Sequence, residues 1–287
     1  MSDSVASFSP WALINRVSTT LVDILLWPLQ SFPVWLQLTW MAALLAAFAL
    51  LVFKYFSSQS GIRQAKDRVK AYLLELWLYK DDPAVQLRAQ GKAIWHSLRY
   101  LVLSLPPLLV MSLPMLLLLF QVEARFGWRG LEPGESTILT ATLADSNKGN
   151  ISLGKIAPQL EVGAGLTVET PALRLLSERK VLWRLRATDV GVHPVQVAIG
   201  AATASRSIVA GQALSPLAPD IYRANDWREL GFPGESPLPA DAAIASLSVD
   251  YPYRDGDFLG LSQASWILLG LSLLFGFLLR GPMRVDF

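Results

Sequence analysis

The sequence predicts a membrane α-helical protein with three transmembrane helices, an interfacial helix and a cytoplasmic helical hairpin, into which an extracytoplasmic all-β immunoglobulin-like sandwich is inserted. Three observations predict it. Three apolar runs of about 20 residues, the length a bilayer requires, contain no Asp, Glu, Lys, Arg or His. A Lys- and Arg-rich segment of helical period separates the first two. A long stretch before the third changes to period-two alternation broken by turn residues. The composition agrees: of 287 residues, 52% are hydrophobic and only 17% are charged, which is more apolar than an ordinary soluble chain.

Residues 1–33 form an outer tail and an amphipathic helix. The start, MSDSVASFSPWALINR, has no basic region ahead of an apolar core, so it does not read as a cleaved signal peptide. In WALINRVSTTLVDILLWPLQ, Leu13, Val17, Leu21, Ile24 and Leu25 share one helical face, and Asn15, Ser18, Thr19 and Asp23 lie mostly on the other. That pattern is too polar to span and suits a helix lying in the outer interface, with Trp11 and Trp27 as interfacial aromatics. Pro28 and Pro33 then turn the chain into the first span at 34–54.

Residues 55–99 are expected to form a basic hairpin. Between the first two spans stand Lys54, Arg63, Lys66, Arg68, Lys70, Lys80, Arg88, Lys92 and Arg99, against Asp67, Glu75, Asp81 and Asp82. Short loops rich in Lys and Arg stay in the cytoplasm. The tail at 281–287, with Arg284 and the adjacent Arg280, belongs on the same side. This places the N-terminus and residues 123–258 outside: in a bacterium beyond the inner membrane, in a eukaryote in the endoplasmic reticulum lumen. Ile62, Ala65, Val69, Tyr72, Leu76 and Tyr79 give the first hairpin helix a three-four seam. Asp82 is placed to cap the second helix, with Pro83 at its first position. On that helix Leu87, Gly91, Ile94 and Leu98 form one face, and Arg88, Lys92, His96 and Arg99 another. The basic residues Arg63, Lys66, Lys70, Arg88, Lys92, His96 and Arg99 have two readings. They hold the loop inside and attract anionic lipid, or they receive a polyanionic partner such as ribosomal RNA, or acidic chain segments.

The second span, 100–122, contains Pro106, Pro107 and Pro114. They kink the helix, either to line a cavity or simply to pack. The third span lies in 259–280, where Gly270 and Gly276 suit close helix contact. In the outer domain, the runs at 136–145, 165–170, 171–176, 180–188, 192–200, 202–211 and 243–252 read as about seven strands, with Trp183 as the core anchor. The Pro-rich stretch around 215–240 reads as a long loop.

Motifs for nucleotide binding, nucleophilic hydrolysis and zinc hydrolysis are absent from the sequence. No cysteine exists to ligate metal or form a disulfide. His96 and His193 fall on opposite sides of the membrane, and His193 reads as a strand or turn residue. Asp145, Asn147 and Asn150 superficially suggest a calcium loop, but the Gly is misplaced and position twelve is Ile156, so a hairpin turn is expected. Asn150-Ile151-Ser152 is a formal glycosylation sequon. The expectation is a non-enzymatic protein without cofactor or metal.

The order of parts resembles the YidC-type membrane insertase superfamily, and its three-span Get and EMC members in particular. The residues carrying the resemblance are WALINRVSTTLVDILLWPLQ, VWLQLTWMAALLAAFALLVF, IRQAKDRVKAYLLELWLYKDDPAVQLRAQ and LPPLLVMSLP. It covers about 11–122 and 261–284 and is one of architecture. It implies a groove open to the cytoplasm that eases apolar segments into the bilayer. Candidate groove-lining residues are Gln37, Thr39, Ser104, Pro106, Pro107, Ser112 and Pro114. It also implies nascent membrane proteins as clients, a ribosome at the hairpin and membrane lipids as surroundings. The other reading of the same parts is a membrane-anchored scaffold whose β-domain recognises an envelope protein.

Overall fold

The computed structural model describes residues 9–56, 59–79, 82–144, 157–200, 202–211 and 216–283. The expected hairpin turn and sequon at 145–156, and the basic tail residue Arg284, lie outside the described residues. The chain forms two compact units, one of Met1–Val34 with Leu117–Ile267 and one of Trp35–Leu116 with Leu268–Phe287.

The first unit carries an antiparallel β-region and the helix α1, Pro10–Leu26. Its strands are β1 (Ser136–Leu143), β2 (Gln159–Val162), β3 (Leu166–Val168), β4 (Leu173–Leu175), β5 (Lys180–Ala187), β6 (Gly191–Ile199), β7 (Ala202–Ala210), β8 (Asp220–Tyr222) and β9 (Ile244–Val249). A short hairpin of β10 (Asp257–Phe258) and β11 (Leu261–Ser262) follows. One sheet runs β3-β5-β1-β9-β8, with β4 also paired to β5, and a second runs β2-β6-β7. All strand pairs are antiparallel.

Alternation explains which faces meet. On β5, Val181, Trp183 and Leu185 are buried while Arg184 and Arg186 are exposed. On β6, Val195, Val197 and Ile199 are buried. These side chains join Leu139, Ala141, Ile208, Leu247 and Val249 in one core drawn from both sheets. Trp183, 3% exposed, is a core residue as its sequence position suggested. Inside this region the Arg206 guanidinium is fully buried and donates to the carbonyls of Pro219, Leu247 and Ala218 at 2.9, 2.9 and 2.6 Å. A buried charge is tolerable only when hydrogen-bonded in this way. The stretch around 215–240 is not a plain loop: it contains β8, paired with β9, and a 3-10 turn at Trp227–Gly231. The strands β2, β8, β10 and β11, which are two to four residues long, are not singled out by the sequence.

The second unit is helical. It comprises α2 (Val34–Phe56, from Trp35), α3 (Gln59–Leu78), α4 (Pro83–Val122, to Leu116) and α5 (Gln263–Met283, from Leu268). Asp82 caps α4 as expected: its Oδ1 accepts from the Ala84 N–H at 3.0 Å. The second hairpin helix and the second span are not separate elements. They form one 40-residue helix that runs through Pro106, Pro107 and Pro114. Among the described residues, four helices are long and apolar enough to cross a membrane: Pro10–Leu29, Val34–Phe56, Gln86–Gly127 and Gln263–Met283. The first of these, α1, was expected to be too polar to span, and the partners of its polar face bear on that point.

Candidate functional site

Two features stand out, one in each unit. In the helical unit, α2 buries the rows Gln37, Met41, Leu45 and Leu38, Ala42, Ala46, Leu50, at the four-residue spacing of one helical face. Beside this face α2, α4 and α5 leave a cavity of about 440 Å³. Its walls include Leu45, Ala49, Phe53, Leu108, Met111 and Phe277, and the one hydroxyl among them is Ser272. That hydroxyl donates to the Leu269 carbonyl of its own helix at 2.8 Å, so it presents little polarity to an occupant. Gly276 also lines the cavity, and a Cβ there would meet nothing within 4 Å. The same holds for Gly270. Neither glycine therefore makes the close helix contact that the sequence suggested.

The residues proposed from sequence to line a groove lie elsewhere. None of Gln37, Thr39, Ser104, Pro106, Pro107, Ser112 and Pro114 is among the residues lining this cavity. Gln37 is buried on the inner face of α2. Thr39, Ser104 and Ser112 donate to the carbonyls of Trp35, Tyr100 and Leu109 on their own helices. Pro107 is buried, Pro114 half-buried and Pro106 exposed. The cavity-forming residues are ordinary Leu, Ala, Met and Phe inside apolar runs, which gives sequence reasoning no signal to single them out.

The hairpin is held by aromatic contacts. Tyr72 of α3 stacks on His96 of α4 with ring centroids 5.5 Å apart. Lys92 lies over the Tyr72 ring at 5.4 Å, and Lys66 over the Tyr100 ring at 5.5 Å. Such cation–π contacts stabilise by roughly 0.5–1 kcal/mol at exposed sites. Arg63, Lys70, Arg88, Lys92 and Arg99 are exposed, Lys66 is half-buried, and His96 turns inward at 7% exposure. On α3, Ala65, Val69, Tyr72 and Leu76 occupy the expected seam, while Tyr79 is exposed. On α4 the inner face is Ala89, Ala93, His96 and Tyr100. The apolar face Leu87, Gly91, Ile94 and Leu98 points outward.

In the other unit a set of polar contacts clamps α1 to the β-region. Ser9 caps α1 by accepting from the Ala12 N–H, and it donates to Glu229 Oε2 at 2.7 Å. The Asn15 side-chain amide donates to the Glu229 carbonyl at 2.7 Å. Gln121 donates to the hydroxyls of Ser18 and Thr19 at 2.9 and 2.8 Å, and Arg125 pairs with Asp23 at 2.8 Å. The polar face of α1 is thus turned to protein. Leu13, Val17, Leu21 and Ile24 are the exposed face. Burial pushes the Glu229 carboxyl above its ordinary range; the Ser9 hydroxyl works against this and nearby Asp226 adds to it. Arg228 holds Asp226 low through direct hydrogen bonds.

At the far side of the clamp lies Glu123, in the π-helical turn Glu123–Gly127. Its Oε1 accepts from the Ser262 N–H and hydroxyl and from the Ser265 hydroxyl at 2.8, 3.0 and 2.6 Å. A carboxylate at the first turn of α5 complements that helix's dipole. Sequence reasoning missed Gln121, Glu123 and Arg125. The available signal was three polar residues crowded at the end of an apolar run. His193 lies on β6, where a ring nitrogen is 2.9 Å from the Asp189 carbonyl oxygen. Among the described residues no group of three or more His, Asp or Glu is placed to hold a metal ion. Compared with known proteins, the chain matches no protein family, no curated protein and no solved structure.

Proposed function

We propose that this chain is an integral membrane chaperone of the insertase-like kind, one that shelters apolar segments of other membrane proteins while they insert or fold. The carrying observation is the cavity of about 440 Å³ among α2, α4 and α5, lined almost wholly by apolar side chains. A site of that size and lining accepts part of an apolar helix and makes no demand for a specific polar ligand. The absence of a charged group on its walls favours holding an apolar segment over passing a polar one across the bilayer.

In this reading α2, the apolar part of α4 and α5 span a bacterial inner membrane. The basic hairpin and C-terminus face the cytoplasm, where the hairpin meets the ribosome or anionic lipid. α1 lies in the outer interface, because Asn15, Ser18, Thr19 and Asp23 bond to the protein while Leu13, Val17, Leu21 and Ile24 are left for lipid. The β-region is an immunoglobulin-like sandwich on the outer side, non-enzymatic, clamped to α1 and to the start of α5.

Photo-crosslinkers at Met111, Met115 and Ser272 test the proposal in cells. Crosslinks to newly made membrane proteins are expected. Crosslinks to lipid alone sink the chaperone reading and leave a membrane-anchored scaffold.

A further inference from the structure

The hairpin of β10 and β11 ends in a two-residue turn, Leu259-Gly260, with φ of 52° and 76°. Such a turn suits a tight hairpin, but its first position ordinarily takes Asn, Asp or Gly. A Leu there is held in a left-handed conformation that bulky side chains avoid. It is also 79% exposed, and Phe258 beside it is 65% exposed. Neither side chain joins the core of the β-region.

The hairpin is fixed against the start of α5. Ser262 caps that helix by accepting from the Ser265 N–H at 3.3 Å. Trp266, in the first turn, donates its indole N–H to the Phe258 carbonyl at 2.9 Å, and the two rings lie 5.7 Å apart. The 21 residues of α5 extend about 30 Å, the thickness of a bilayer's hydrocarbon. With α5 spanning as proposed above, its whole length is needed, so its first turn stands at the outer edge of the hydrocarbon. Trp266 holds Phe258 at that level. Beside them is a cavity of about 340 Å³ lined by Asp255, Gly256, Asp257, Phe258, Gln263 and Trp266. It has two carboxylates and two aromatic rings on its walls and no Lys, Arg or His. Among the described residues neither carboxylate is in an ion pair. Two carboxylates alone would attract any cation. The aromatic surface selects an organic ammonium, which rings attract through their negative faces.

We propose that this cavity binds the ammonium headgroup of an outer-leaflet phospholipid. Asp255 and Asp257 meet the charge, Phe258 and Trp266 supply the aromatic surface, and Leu259 contacts the acyl chains below. Lipid contact accounts for a large apolar residue at a turn position that disfavours it. The site rests on the membrane placement proposed above and is independent of any client between α2, α4 and α5.

Native mass spectrometry of the purified full-length chain reads the site. Dioleoyl phosphatidylethanolamine and dioleoyl phosphatidylglycerol are titrated separately, so the acyl chains match and only the headgroups differ. The parent is expected to hold the ethanolamine lipid about tenfold more tightly. Asp255→Asn with Asp257→Asn should abolish that preference. Asp189→Asn with Asp241→Asn makes the same charge change at exposed positions elsewhere and should keep it. Leu259→Gly should weaken both lipids alike and keep the preference. Equal affinity for the two lipids in the parent overturns the ammonium site, as does equal loss of preference in both Asp pairs. Unchanged affinity in Leu259→Gly overturns the contact given to the tip. Phosphoethanolamine without acyl chains is the third probe, and binding as tight as that of the lipid overturns a lipid as the source of the ammonium. Release of the protein from native membranes by alkali overturns the membrane placement instead, and this site with it.

Discussion

The clamp on α1 makes a quantitative prediction. Asn15 is buried, and its side chain gives the Glu229 carbonyl a hydrogen bond at 2.7 Å. Asn15→Ala removes this donor and leaves the carbonyl with the Phe232 N–H alone, at 3.3 Å. Losing one such hydrogen bond costs about 0.5–1.5 kcal/mol. At 1.4 kcal/mol per factor of ten, the population with α1 undocked rises about 2- to 12-fold. Val22, 4% exposed, lies on the same clamped side of α1 and supplies the reporter. In the cysteine-free chain a Val22→Cys thiol reacts with a soluble maleimide only when α1 lifts away. Labelling rates of Val22→Cys with and without Asn15→Ala then compare the undocked populations. A rise in that range is expected. Unchanged labelling would refute the reasoning, because it would mean the Asn15 hydrogen bond does not hold the helix down.

Other parts of the molecule give further expectations. Arg206→Met removes the guanidinium that serves the carbonyls of Ala218, Pro219 and Leu247 and pairs with Glu235 at 3.4 Å, so the β-region should lose about 3–5 kcal/mol; limited proteolysis across a denaturant series measures it. Trp183→Ala, in the same core, should cost about 3–5 kcal/mol by that assay. Glu229 has its carboxyl raised in the folded state, so its ionised form opposes docking. That opposition is present above the folded value and disappears as pH falls toward the ordinary Glu range. Val22→Cys labelling should therefore slow on mild acidification more in the parent than in Glu229→Gln, and identical pH profiles would contradict this. Gly276→Leu should fill part of the cavity without disturbing the fold, since a Cβ there meets open space. In the proposed chaperone reading, crosslinks from Met111 to newly made membrane proteins should then drop while the protein still resists alkaline extraction.

The two faces of α1 were legible in the sequence, because a helix sorts residues at a fixed angle. The same rule divided α4 into faces but did not say which face was inner. Leu87, Ile94 and Leu98 are the more apolar set, yet the small Ala89 and Ala93 are buried along with His96, which stacks on Tyr72 of α3, and the large residues are turned outward. Small side chains allow close helix approach, and that steric choice depends on the neighbouring helix. A related reason keeps the sequence's candidate groove residues from standing out in this cavity. Polar groups in an apolar run attract notice, but a helix satisfies Thr39, Ser104 and Ser112 with its own carbonyls.

By itself the sequence determined the apolar helices long enough to cross a membrane, the basic character of the segment between two of them and the strands long enough to alternate. These depend on residue order alone: run length, charge placement and period. Only the tertiary structure decided that the polar face of α1 is spent on Glu229, Gln121 and Arg125, that the cavity is apolar, and that Gly270 and Gly276 border open space. Each of these is a relation between residues far apart in the chain. Burial and satisfied hydrogen bonds are properties of the partner as much as of the residue itself.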